Sequence, residues 1–216
     1  RLARAIAPHG RSVWVACGPG NNGGDGFEAA WHLHRLGWQV TLTWTGSPRE
    51  PDDARASREK ALAAGLQIAP HPPAQFDLAI DALLGLGGSL DPERPATALM
   101  REQLALMHAA PVPVLAVDLP TGVNGDTGAS PFPARGASQR HTLSLLSLKP
   151  GLFTAQGRDQ AGQVWFDDLG VDLGRVPATA LLGGADLAGA PALAPHASHK
   201  GSFGDVIVIG GQQTGP

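Results

Sequence analysis

With 216 residues, 16 Lys and Arg against 19 Asp and Glu, and a net charge of −3, the chain is long enough to bury a sizeable core. It lacks the basic surplus that nucleic-acid binding requires. A single cysteine excludes an internal disulfide framework and any multi-cysteine metal site.

In chain order, Leu2 to Ala7 reads as the last turns of a helix, closed by Pro8 and Gly10. The apolar run in Arg1 to Pro8 is too short for a signal peptide or membrane span, and the missing initiator Met suggests a piece of something longer. A cytoplasmic location, with no membrane partner, is the expectation. Val13 to Cys17 is a buried strand, with the Cys17 thiol packed rather than reactive. A loop of interleaved glycines and polar residues then leads into a helix that begins at Phe27 and runs to Leu36, with Gly37 as its C-cap. His32 and His34 are two apart, so on that helix they face different sides and do not share a metal.

Trp38 to Thr45 is the second strand, and Asp52 to Ala64 the second helix, with acids in its first turn and Gly65 past its end. Leu66 to Ile68 is a short strand. Phe76 to Leu83 is another that delivers Asp81 near its carboxyl end, followed by the glycine-rich segment Gly85 to Asp91. Pro95 to Ala110 reads as helix, Val112 to Leu119 as the most apolar strand, and His141 to Leu148 and Gln163 to Asp167 as two more strands. Strands alternating with helices predict an α/β protein: a three-layer αβα, Rossmann-like fold with a mostly parallel central sheet.

The loop after the first strand, Gly18-Pro19-Gly20-Asn21-Asn22-Gly23-Gly24-Asp25-Gly26, is built for an anion. Its glycines permit positive φ and close backbone approach, and the helix start beyond it offers free N–H groups and partial positive charge. Gly18 to Gly23 matches G-x-G-x-x-G, a weak signal alone. An ordinary dehydrogenase is disfavoured, because no Asp or Glu stands between Glu28 and Glu50, where a ribose-binding carboxylate belongs. No Lys-Ser/Thr completes a P-loop either.

Two further polar segments follow Asp81 and Asp118. In an open parallel sheet the carboxyl-end loops converge, so Asn22, Asp25, Asp81, Asp118 and Thr121 are expected to be neighbours. Crowded carboxylates repel, and a cation or a raised pKa is the usual remedy. The Asn22 amide oxygen, an Asp81 carboxylate oxygen, the Thr121 hydroxyl and nearby carbonyls form an all-oxygen set for a hard cation, monovalent in preference to magnesium because the set carries little charge.

Residues 18 to 26, Asp81-Ala82-Leu83-Leu84-Gly85, Val117-Asp118-Leu119-Pro120-Thr121-Gly122-Val123 with Asp126-Thr127-Gly128, and Lys149-Pro150-Gly151 together resemble the YjeF-type N-terminal domain, the NAD(P)H-hydrate epimerases. The resemblance covers Arg1 to about Leu182. It implies interconversion of the R and S forms of hydrated NADH and NADPH. Carried over, it implies that Asn21, Asn22, Gly23, Gly24 and Asp25, with Gly85, Leu86, Gly87, Gly88, Ser89, Leu90 and Asp91, bind the nucleotide. It further implies that Asn22, Asp81 and Thr121 hold one potassium ion and that Asp118 contacts substrate, the candidate acid/base. A homodimer is implied by the same analogy. Residue 121 is Thr where Ser is common, which keeps the hydroxyl.

The remainder departs from that domain. Residues 183 to 195 read as a small-residue linker, and 196 to 216, with Ser198-His199-Lys200-Gly201-Ser202-Phe203-Gly204-Asp205 before an apolar run and Gly210-Gly211, resemble the opening of the ADP/ATP-dependent NAD(P)H-hydrate dehydratase domain. Only its beginning is present, so that half is expected to be inactive. The competing expectation is a non-catalytic nucleotide-binding or scaffolding module of the same fold.

Overall fold

A computed structural model describes residues 1–88, 90, 95–132 and 139–172; the expected linker 183–195 and dehydratase opening 196–216 lie outside them. Its centre is a six-stranded sheet of β1 (Ser12–Cys17), β2 (Gln39–Trp44), β3 (Leu78–Ala82), β4 (Val114–Val117), β5 (Arg140–Leu145) and β6 (Gln163–Asp167), in the order β2-β1-β3-β4-β5-β6. Every pairing is parallel, so the sheet is wholly rather than mostly parallel.

The helices are α1 (Leu2–Ile6), α2 (Asn21–Arg35), α3 (Asp52–Ala63), α4 (Pro95–Ala109) and α5 (Ala155–Ala161). Alternation along β1 sorts its side chains between two layers. Val13, Val15 and Cys17 pack with Phe27, Ala30 and Leu33 of α2, while Trp14 and Ala16 pack with Met100, Leu104 and Met107 of α4. A strand buried on both faces needs apolar residues at every position, and Val13 to Cys17 supplies them. The Trp14 indole N–H, fully buried, donates to Thr43 Oγ1 at 2.9 Å, which donates to Gln103 Oε1 at 3.3 Å, so this polar chain is satisfied inside the core.

Helix α2 begins at Asn21, ahead of Phe27, so the expected glycine loop is largely the first turns of a helix. Gly18, Gly20, Gly23 and Gly24 all have ordinary φ; close approach, not positive φ, is what requires a small residue at Gly18, Gly23 and Gly24, while Gly20 has open space around it. A Cβ on Gly23 would run into the Gly18 carbonyl, one on Gly24 would stand 2.8 Å from Ala54 Cα in α3, and one on Gly26 would stand 2.6 Å from the Ala82 side chain. The helix is drawn tightly onto β1, β3 and α3, which fixes where its N-terminus points. Asp25 therefore lies within the helix instead of capping it.

Other differences are smaller. The short strand Leu66 to Ile68 is reduced to one bridge, Ile68 to Leu42. Strand β4 is confined to Val114–Val117, between Pro113, which has no N–H for the ladder, and Asp118, whose φ of 67° ends the extended run. Helix α5 was not expected, because Ala-Gln-Gly-Arg-Asp-Gln-Ala carries no apolar periodicity. Among the described residues no helix is long and apolar enough to cross a membrane.

Candidate active site

In this strand order the chain leaves β1 toward β2 on one side while β3 lies on the other, so the loops after β1 and β3 diverge and open a crevice. A cleft of about 680 Å³ fills that place. One wall is the start of α2, with Asn21, Asn22, Gly24 and Asp25. The opposite wall is Leu83 to Gly88, following β3. Asp118, after β4, and Lys149, after β5, close the floor. The N-cap of α2 is Gly20, and no side chain caps the first turn. Helix-start N–H groups have no intrahelical partner and carry partial positive charge, so this wall suits an anion.

Beneath the cleft Asp81 is 3% exposed and is tied to the loop after β4. Its Oδ1 accepts the Thr121 hydroxyl at 2.7 Å and the Leu83 N–H at 3.2 Å, and its Oδ2 accepts the Thr121 N–H at 3.0 Å. The same hydroxyl accepts from Leu84 N–H at 2.9 Å. Burial pushes the Asp81 carboxyl up, against the opposing pull of the Thr121 and Leu83 hydrogen bonds and the Arg140 charge.

Asp118 and Asn22 converge above the Leu84–Gly85 peptide. A Cβ on Gly85 would stand 3.0 Å from Asp118 Oδ2 and 3.2 Å from Asn22 Oδ1, so only glycine leaves both side chains room. Asp118 Oδ1 forms an ion pair with Lys149 Nζ, and its backbone N–H donates to Leu143 O at 2.7 Å. Asn22 Nδ2 is buried and has no hydrogen-bond partner. Buried amides are almost always satisfied, so this atom stands out as one with room for a further partner.

Asp25 sits in the α2 wall, open to the cleft on one side and sunk against protein on the other. Its carboxyl is pushed up to about 6, by burial first and then by the charges of Asp118 and Glu28. Water in the open cleft screens part of this repulsion, and a ligand that displaces it strengthens what remains. The expected carboxylate crowding is thus real, but it lies between Asp25 and Asp118; Asp81 and Asp118 are separately held by Thr121 and Lys149.

The expected site residues are mostly gathered. Asn21, Asn22, Gly24, Asp25, Gly85, Leu86, Gly87, Gly88 and Asp118 line the cleft. Gly23 does not; it faces the Gly18 carbonyl. Leu90 packs into the cluster under α4, Asp81 and Thr121 lie below the floor, and Ser89 and Asp91 are outside the described residues. Lys149 was given no role from the sequence, although Lys149-Pro150-Gly151 formed part of the recognised pattern. A lysine contacting an acid 31 positions earlier leaves no local spacing to read.

The fold and cleft define a doubly wound α/β protein with a cleft at the sheet's switch point. More particularly, the chain belongs to the family described as YjeF-related protein N-terminus, whose profile matches residues 1–151. It is 35% identical over 218 residues to the bifunctional NAD(P)H-hydrate repair enzyme Nnr of Escherichia coli (strain K12), an alignment covering 98% of this chain and 41% of that protein. The NAD(P)H-hydrate epimerase of Rhodobacter capsulatus is 45% identical over 124 residues, 55% of this chain and 56% of that one. The chain therefore spans less than half the length of the bifunctional relative. The crystal structure of yeast YNL200c aligns with a TM-score of 0.55 at 24% identity, covering 67% of this chain and 62% of that one, and shows the shared fold.

Proposed function

We propose that this chain epimerises the R and S forms of hydrated NADH and NADPH in the cleft between α2, the β3 loop and Asp118. The observation that carries the reading is the meeting of Asp118 with the open helix start of α2 across Gly85. The helix start receives the pyrophosphate, and Asp118 reaches the hydroxyl-bearing carbon beside the ring nitrogen. One relative named an NAD(P)H-hydrate epimerase and another named a bifunctional NAD(P)H-hydrate repair enzyme, aligned over 98% of this chain, support the reading.

The inverted centre is a carbon bearing a hydroxyl and a ring nitrogen. Asp118 takes the hydroxyl proton as the bond from that carbon to nitrogen breaks, and passes it to the nitrogen, leaving an open-chain aldehyde. Rotation presents the other face, and the reverse transfer closes the ring with inverted configuration. The Lys149 ammonium, paired with Oδ1, holds in place the carboxyl that acts first as base.

The donor set fits a potassium ion. Asn22, Asp81 and Thr121 offer an amide, a carboxylate and a hydroxyl around the Leu84–Gly85 peptide, with one formal charge. The buried, unpartnered amide atom of Asn22 supports this, since turning the amide over presents an oxygen in its place. Bound there, the ion would offset the buried Asp81 charge and stiffen the floor under Asp118.

The similarity to the Escherichia coli enzyme over 98% of this chain also supports reading residues 183–195 as linker and 196–216 as the opening of a second domain. A reduced, cytoplasmic setting goes with this reading, the one cysteine being buried and free. The test is to incubate R-configured hydrated NADH with the protein and follow the S form by chiral chromatography. Accelerated equilibration supports the proposal; tight binding without conversion favours the non-catalytic module.

A further inference from the structure

Lys149 lines the cleft, as a phosphate-binding lysine would, yet its ammonium is already engaged. The side chain is 5% exposed, and Nζ donates to Asp118 Oδ1, to Leu145 O at 2.7 Å and to Ser144 Oγ at 3.3 Å. An ammonium has three N–H bonds, so these acceptors use all of them. None remains for a ligand.

The backbone on either side is equally fixed. Pro150–Leu152 forms a 3₁₀ turn, the Gly151 N–H donates to Gly125 O at 2.6 Å, and a Cβ on Gly151 would strike the Asn124 carbonyl. Lys149 is thereby fastened to the loop that follows Asp118. Asp118 has φ of 67°, a left-handed conformation that is unfavourable for a non-glycine residue, so its geometry must be enforced from outside. The Lys149 contact to Oδ1 and the Leu143 carbonyl acting on the Asp118 N–H do this. Oδ2 is left facing Gly85, Asn22 and the Leu86 N–H, the last at 3.4 Å.

We propose that Lys149 is a positioning residue: it holds Oδ1 of Asp118 and leaves Oδ2 as the oxygen that exchanges the proton with substrate, without itself binding the nucleotide phosphates. The part concerning turnover rests on the epimerase reading; the part concerning the carboxyl does not.

The test combines a double-mutant cycle with an activity-independent structure of the variant. Lys149→Gln is expected to lower kcat about 10²-fold, as misorientation of a reacting group does, while KM changes less than about threefold. In an Asp118→Asn background the same change costs nothing further. Lys149→Arg, which keeps the charge, recovers part of the rate. A crystal structure of Lys149→Gln, with folding checked by circular dichroism, shows the Asp118 carboxyl turned away from its wild-type orientation.

A rise in KM with kcat held, or losses that add in the double variant, would overturn the positioning role and make Lys149 a substrate ligand. An Asp118 carboxyl that keeps its wild-type orientation in Lys149→Gln would overturn it whatever the activity. If the wild type does not epimerise but the carboxyl turns in Lys149→Gln, the epimerase reading fails and the holding of Asp118 stands. Should Lys149→Gln not fold, the structure of Lys149→Arg decides: an Asp118 carboxyl still held through Oδ1 supports the pairing, and one turned away although the cation is present contradicts it.

Discussion

Thr121 meets Asp81 twice, hydroxyl to Oδ1 at 2.7 Å and backbone N–H to Oδ2 at 3.0 Å, and so joins the end of β3 to the loop after β4. Because Asp81 is buried, an unmatched oxygen there is costly. Thr121→Val keeps the shape and removes the hydroxyl, and is expected to destabilise the fold by about 1–3 kcal/mol in urea unfolding. Thr121→Ser, which keeps the hydroxyl, is expected to lose less than half of that.

Gly24 tests the close packing of α2. A Cβ there would stand 2.8 Å from Ala54 Cα, and backbone cannot swing aside as a flexible side chain can. Gly24→Ala is expected to cost about 1–3 kcal/mol despite the better helix propensity of alanine, through separation of α2 from α3. A stabilised variant in thermal melts would show that the two helices are not in that register.

The pH dependence of Asp25 follows from its raised carboxyl. With a folded value of about 6 against an ordinary value near 4, the folded state holds this proton more tightly than the unfolded chain. Its favourable contribution is complete below about pH 4 and is lost as pH rises through about 6. Asp25→Asn is therefore expected to match wild type in melting temperature near pH 4 and to exceed it increasingly toward pH 7.5. A difference that does not change with pH would contradict the assignment.

For the cation, the expectation is linkage. A ligand that binds only the folded state raises its stability with concentration. Thermal melts in potassium chloride against the same concentration of a bulky organic cation are expected to show a shift for wild type and none for Asn22→Ala. Equal shifts in both proteins would remove Asn22 from the ligand set.

Much of this was legible in the chain because its signals are local. Val13 to Cys17 is apolar at every position, as a strand covered on both faces must be, and Asp81 and Asp118 stand where apolar strands stop. What was not legible depends on partners distant in sequence. The glycines of residues 18–26 look like loop glycines, and only the presence of Ala54, Ala82 and the Gly18 carbonyl against them explains why a helix carries so many. Lys149 shows no chemistry until β5 is seen to lie beside β4, which brings it to Asp118. Helix α5 is held by its surroundings, with the Gly157 N–H on Gly128 O at 2.8 Å, rather than by its own composition.

The most direct measurement is the rate of R-to-S conversion of hydrated NADH by Asp118→Asn beside wild type, with affinity for the same substrate measured by calorimetry. The account predicts at least about a 10²-fold lower rate with affinity altered only a few-fold, because Asp118 moves a proton that Asn cannot. Conversion by Asp118→Asn at the wild-type rate would contradict it.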